Sequence, residues 1–258
     1  MNKLLKIRKQ NGQAMTEFIV IAFVLLLLTL GLVQLIFVYQ AKTNLNYATF
    51  EATRAGTLAN ASPKSIKHGF ARGMAPSHMR VVDDPSVSVT SQDIRNTALT
   101  TAYQTAYDEI DDYVKIQRIN PIPAHFATGS GGWGRTIPDW EITQENLDSG
   151  VSLYIPNEHL LYKATDKRAG ITIHDANLLK LRITYCMDLI VPFANIIFEN
   201  AYKLTITNSD SVFVQDETVE RTIGNTFKQD CVDGDDRRIP IVAQSIMRMQ
   251  SPARNYTF

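Results

Sequence analysis

The chain has 258 residues, with 26 basic and 26 acidic side chains, so its formal net charge is zero. An apolar share of 45% and a charged share of 20% are typical of a globular protein rather than a disordered or fibrous one. Zero net charge argues against a dedicated nucleic-acid-binding protein, because no excess of cations is present to displace counterions from phosphates. Two cysteines are too few for a disulfide-stapled miniprotein or a cysteine-rich zinc site.

A basic leader and a long apolar run open the chain. Residues 1–12 carry four cations and no acid, and residues 18–39 are polar only at Thr29 and Gln34. As a helix, the run would be roughly 33 Å long, which is enough to cross a bilayer. The positive-inside rule places residues 1–12 in the cytoplasm and residues 42–258 on the other side. The next most apolar stretch, residues 187–198, is too short to cross.

The start of the apolar run carries a glycine and a glutamate at a distinctive spacing. Glu17 lies five residues after Gly12, and a carboxylate at the edge of a membrane helix is costly and usually functional. This arrangement is typical of the class III signal of type IV prepilins, in which a peptidase cuts after the glycine and leaves the apolar helix attached. We therefore predict cleavage between Gly12 and Gln13. The alternative is that Glu17 only stabilises the start of a helix through the helix dipole.

These motifs resemble those of TadE-like proteins, minor pseudopilins of the tight-adherence (Tad/Flp) type IVc pilus system. Weaker matches lie in residues 181–193 and 238–252, whereas residues 61–170 match no motif of the family. The main resemblance is carried by Gly12, Gln13, Ala14, Glu17 and Phe18, followed by Phe50, Glu51, Ala52, Thr53, Arg54, Ala55 and Gly56.

The resemblance implies a protein that prepilin peptidase processes and that acts in pilus initiation, at the tip or in assembly, through Glu17 and Phe18. Its partners would be the major Flp pilin, a TadF-like pseudopilin, the inner-membrane pilus assembly platform and membrane lipid. The protein would cross the bacterial inner membrane once, with a cytoplasmic N-terminus and a periplasmic domain. Two alternatives are a type II secretion pseudopilin and a signal-anchored periplasmic binding or enzymatic domain.

The expected fold class is α+β, with a membrane helix as a pilin-like stem before a mixed domain of helices and antiparallel sheet. The predicted parts are a leader over 1–12, a membrane helix over 13–40, its continuation over 41–75 and a globular domain over 76–258. Pro63 indicates a kink or a restart in the continuation. A stripe of mostly small residues recurs at helical spacing in the continuation, and we call it the small-residue stripe: Leu45, Ala48, Thr49, Ala52, Ala55 and Gly56. It packs either on its own domain or on another stem. Gly69 and Gly73 have Gly-x-x-x-Gly spacing, but we assign them no dimer role outside the membrane.

The rest of the chain alternates between helix and strand signals. A helix is predicted from Ser91 to about residue 116, and a loop over residues 119–140. One face of this helix comprises Ile94, Ala98, Ala102, Ala106, Ile110 and Tyr113. The predicted strands are residues 81–89, 151–155, 171–173, 179–191, 203–207, 212–214 and 239–246.

No motif in the sequence indicates catalysis, so we expect no enzyme, no cofactor and no bound metal. Residues 129–134 satisfy Gly-x-Gly-x-x-Gly, but prolines on both sides argue against the strand and helix that a dinucleotide site needs. The histidines are scattered and fit no zinc-ligand spacing. Residues 230–236 are acidic and could form either a solvated turn or a calcium site, although they lack the order of an EF-hand loop.

Cys186 and Cys231 lie 45 positions apart in the part of the chain placed outside the cytoplasm. That compartment is oxidising in bacteria, so a disulfide between them is predicted, with two buried thiols as the alternative.

Overall fold

The structure is a computed structural model that describes residues 13–79, 91–158, 165–208, 227, 231 and 237–257. Over these residues the fold is α+β, as predicted, with the long helices early and the main antiparallel sheet late in the chain. The helices are α1 (Gln13–Leu58), α2 (Pro63–His78), α3 (Ser91–Tyr113), α4 (Gln144–Asp148), α5 (Ile173–Ala176) and α6 (Ala194–Asn208). Short 3-10 helices cover Pro123–Phe126, Gly129–Gly131 and Asp139–Glu141.

The strands form one larger sheet and two small ones. The larger sheet has the order β1-β6-β7, and both of its pairs are antiparallel. At its centre Ile183 of β6 is paired with Ile116 of β1 and with Ala243 of β7. The smaller sheets are β2-β3-β8 and β4-β5. The strands are β1 (Val114–Asn120), β2 (Arg135–Thr136), β3 (Leu153–Ile155), β4 (Lys167–Arg168), β5 (Ile171–Thr172), β6 (Leu178–Asp188), β7 (Arg238–Arg248) and β8 (Ala253–Arg254).

The first helix ends much earlier than predicted, and the chain turns back on itself. Helix α1 ends at Leu58, so one continuous helix to residue 75 is wrong, whereas the predicted restart at Pro63 is confirmed. Asn60 and Ala61 adopt positive φ angles of 57° and 59°, which a right-handed helix does not allow. The Ala61 N–H donates to the Gly56 carbonyl at 2.9 Å and closes the helix end. Helix α2 then starts at Pro63, a residue suited to a first helical turn.

Helix α2 packs antiparallel on α1 through its two glycines. A Cβ atom added at Gly73 would lie 2.5 Å from the Cα atom of Ala48, and one at Gly69 would lie 2.8 Å from the Glu51 carbonyl oxygen. Such distances leave no room for a side chain, so the Gly-x-x-x-Gly spacing allows close contact within one chain. Leu45, Ala48 and Ala52 are fully buried. The stripe therefore packs on its own domain rather than on another stem.

Helix α3 gives way to strand β1 earlier than the sequence indicates. The predicted helix is confirmed, and Ala98, Ala102, Ala106 and Ile110 of its predicted face are buried, whereas Tyr113 is half-buried. The helix ends at Tyr113, however, and residues 114–120 pair with β6. The extension to residue 116 was wrong because this strand pairing outweighs local helical preference.

Several other predicted strands are shorter in the structure or form helix instead. Residues 203–207 lie in α6 and are not a strand. Strand β6 ends at Asp188 rather than at residue 191, and the predicted strand over 171–173 ends at Thr172, whose hydroxyl accepts from the Asp175 N–H and starts α5. The predicted loop over 119–140 includes β2 and the three 3-10 helices. The predicted strands 81–89 and 212–214 lie outside the described residues.

A disulfide joins Cys186, near the end of strand β6, to Cys231, as predicted. Their Cα atoms are 5.8 Å apart, and both side chains are buried. Beside this bond Asp188 forms an ion pair with Arg238 at 2.8 Å. The end of the β6–β7 pair is thus held by covalent and ionic contacts.

The close approach of α1 and α2 gives a stability prediction. We expect Gly73→Val to lower the free energy of unfolding by about 1–3 kcal/mol, because the new side chain meets the backbone of Ala48. The matched control is Arg72→Val, which places the same side chain at an exposed position of the same helix. Urea denaturation of both variants in detergent tests this, and equal midpoints would contradict the packing described.

Candidate membrane stem and assembly segment

The first half of α1 is an apolar helix with almost no contacts to the rest of the described chain. Among the described residues, α1 is the only helix long and apolar enough to cross a membrane. Core helices and signal sequences can meet the same criterion, but a core helix is buried, whereas Phe18 is 70% exposed and Ile36 is 63% exposed. So large an apolar surface is not stable in water and needs lipid or other proteins around it. This half of α1 fits a membrane anchor.

The predicted processing and assembly residues lie at the start of this helix. Gly12 lies outside the described residues, and Gln13 is the first residue of α1. Glu17 follows one helical turn later and is exposed, and so is Phe18. The helix therefore places the backbone of Gln13 and the Glu17 residue at the same end of the apolar surface. These positions agree with the predicted roles but do not test them.

The apolar run meets the domain at Gln34. This side chain is fully buried, and its Oε1 atom accepts a hydrogen bond from the Val191 N–H at 3.0 Å. Its Nε2 atom has no hydrogen-bond partner among the described residues. Two turns later, the Lys42 ammonium group donates a hydrogen bond to the Val242 carbonyl of β7, and burial lowers the pKa of Lys42. The stem thus begins to contact the domain before the apolar run ends.

Beyond Lys42 the same helix becomes part of the hydrophobic core. Leu45, Ala48 and Ala52 join a buried cluster with residues of α2, α3 and β6. Two buried threonines on this face satisfy their hydroxyl groups within the helix: Thr49 donates to the Leu45 carbonyl and Thr53 to the Thr49 carbonyl, each at 2.7 Å. The polar residues of this stretch therefore do not need a second protein to form their hydrogen bonds.

Two largely buried polar side chains of the domain, Arg118 and Tyr185, have structural partners. Arg118 donates to the carbonyls of Arg254 and Tyr256, and burial lowers its pKa to about 10. Burial and the neighbouring Glu109 raise the pKa of Tyr185. In the described part of the chain, no three His, Cys, Asp or Glu side chains come close enough to share a metal ion. The acidic residues 230–236, weighed as a calcium site, lie outside the described residues except for Cys231.

The glycine-rich segment 129–134 forms a loop in the structure. A 3-10 helix covers Gly129–Gly131, and strand β2 follows instead of the helix that a dinucleotide site requires. Trp133 is buried here, and its indole N–H donates to the Ile171 carbonyl at 3.1 Å. The segment therefore contributes a buried tryptophan to the domain, a structural role that its glycine spacing alone did not reveal.

Comparison with known proteins finds a similarity only over the stem and the residues next to it. Residues 12–54 match the family of TadE-like proteins. No curated protein and no solved structure matches the chain. The matched segment contains Gly12, Glu17, the apolar run and most of the small-residue stripe. Over this segment the chain is similar to TadE-like proteins, a family associated with Tad pilus systems.

Proposed function

We propose that the protein is a minor pilin, or pseudopilin, of a Tad-type pilus that prepilin peptidase processes and that acts in pilus initiation, at the tip or in assembly. The supporting observation is the division of α1. Its first half is exposed and apolar, and its second half is the core of a folded domain. A pilin-like subunit needs this division, because one helix must move between lipid and a filament without unfolding its domain.

The proposed partners follow from the same arrangement. The exposed half of α1 would lie in the inner membrane before assembly and against stems of the major Flp pilin or a TadF-like pseudopilin afterwards. The domain would lie in the periplasm, where its disulfide can form. The prepilin peptidase and the assembly platform would act on the stem from the membrane.

Stem packing alone does not determine how subunits align along a filament. Lipid chains are as apolar as leucine, so moving an apolar helix from lipid to other helices provides little hydrophobic free energy. A smooth apolar surface also allows helices to slide along each other. A polar contact at a defined height would therefore be needed to set the axial register.

Glu17 is the residue that we propose for this contact. Cleavage after Gly12 would create a new α-amine at Gln13, one turn from Glu17 at the edge of the membrane. In a parallel array of stems, the carboxylate of one subunit can approach the α-amine of its neighbour. Removing one member of a buried ion pair costs about 3–5 kcal/mol, because the other charge loses its partner.

The proposal predicts that Glu17→Gln leaves processing intact and sharply reduces pilus formation. The matched control is Glu51→Gln, which makes the same change on the same helix at a position that forms an ion pair with Arg54 at 3.6 Å. Both variants are expressed as the sole copy in cells that contain the peptidase. N-terminal sequencing scores processing, and the amount of sheared pili scores assembly.

Each readout can contradict a different part of the proposal. A mature N-terminus at Met1 or Asn2 would refute processing after Gly12 and favour a signal-anchored periplasmic domain. Normal piliation by Glu17→Gln would show that the carboxylate only stabilises the start of the helix. Equal loss of pili in both variants would indicate a general effect of charge on α1 rather than a register contact.

A further inference from the structure

A second apolar surface lies beside the stem. It belongs to residues 189–197, which connect β6 to α6 and form the first turn of α6; we call them the juxtamembrane segment. Ile190 is 69% exposed, Phe193 is 65% exposed and Ile197 is 57% exposed. Three large apolar side chains exposed within eight residues are unusual for a surface in contact with water.

The position of this segment along α1 is fixed by Gln34. The hydrogen bond from the Val191 N–H to Gln34 places the segment next to a residue inside the apolar run. Gln34 precedes Tyr39, the last residue of the run, by five positions, which corresponds to roughly 7.5 Å of helix. Leu27 and Leu30 lie on the same side of α1 and are half-buried, while Leu26 and Leu28 are exposed. The segment therefore lies closer to the bilayer centre than the level at which α1 would leave the hydrocarbon.

Helix α6 is oriented by its polar residues. Asn195, Glu199 and Lys203 follow one another at four-residue spacing, so they share one face. Arg237, just before β7, donates to the Asn195 side chain at 3.0 Å and lies 3.7 Å from the Glu199 carboxylate. Lys203 pairs with the same carboxylate at 2.9 Å. The polar face of α6 is therefore fixed to the domain through Arg237, and its charged side chains are paired.

We propose that the juxtamembrane segment inserts into the leaflet on the domain's side of the bilayer that α1 spans. Amphipathic helices at membrane surfaces bury their apolar face about 5–10 Å into the headgroup and acyl boundary, which is the depth that Gln34 sets. A soluble partner would have to displace lipid to reach this level. The proposal rests on α1 being a membrane anchor. It implies that the domain has two contacts with the bilayer, which fix its orientation and must both be released when the subunit leaves the membrane.

Depth-dependent quenching tests this insertion in the full-length protein. An environment-sensitive fluorophore is attached to single introduced cysteines, Phe193→Cys and Ile197→Cys, while the native cysteines stay protected in their disulfide. The protein is reconstituted in phospholipid nanodiscs with and without lipids that carry a nitroxide quencher on the acyl chain. Phe23→Cys, in the middle of the apolar run, reports on the membrane anchor itself.

The matched control is Leu147→Cys, since Leu147 is an apolar side chain that is 60% exposed. It lies on α4, where Asn146 contacts Arg254, and the Arg254 N–H donates to the Asn60 carbonyl just past the far end of α1. This position is therefore remote from the proposed bilayer level. Circular dichroism and the resistance of the native cysteines to alkylation confirm that each variant is folded.

The expected result is a loss of fluorescence at residues 193 and 197 comparable with that at residue 23, and no loss at residue 147. Quenching at residue 23 without quenching at 193 and 197 would overturn the insertion and leave the membrane anchor intact. No quenching at residue 23 would refute the anchor and the insertion together. Quenching at residue 147 as well would show that the quenching is not specific to the segment, and it would overturn the proposal. Protection of residues 193 and 197 that grows with the protein-to-lipid ratio would assign the surface to a contact between protein molecules, and it would also overturn the proposal.

Discussion

The structure depends on one continuous helix that must be stable in two different surroundings. Helix α1 has 46 residues; its apolar side chains are mostly exposed in the first half, and one face of its second half is buried by the domain. A helix can do this because all of its backbone hydrogen bonds are internal, so changing the surroundings leaves no polar group unsatisfied. The domain is therefore not attached to the stem by a linker, since it folds around the stem's second half.

The small residues of α1 explain how the rest of the domain reaches it. Ala48 and Ala52 allow α2 to approach at Gly73 and Gly69, and Leu45 is buried in the same hydrophobic core. Strand β7 then contacts the helix at Lys42, and the β6–β7 end is closed by the disulfide. Each of these contacts ties a distant part of the chain to the stem. A displacement of α1 would therefore carry the described part of the domain with it.

The sequence predicted the features that depend on local pattern, and it failed where tertiary contacts decide the structure. The apolar run, the stripe from Leu45 and the cysteine pair were identified because each has a simple physical signature. Residues 203–207 have β-branched side chains at Thr205, Ile206 and Thr207, yet they form helix, because propensity is weaker than the context of α6. The turn at Asn60 lacks a glycine signal. The role of Gly73 could not be inferred without knowing that Ala48 lies opposite.

Truncation of the stem is the most direct test of the claim that α1 forms part of the domain core. Two fragments are compared by thermal unfolding, one containing residues 40–258 and the other containing residues 59–258. Both lack the apolar run, and both keep the cysteines, so they differ only in the second half of α1. The account predicts a cooperative transition for the fragment that starts at Gln40 and none for the one that starts at Ala59. Cooperative unfolding of both fragments at the same temperature would show that the domain folds without the stem.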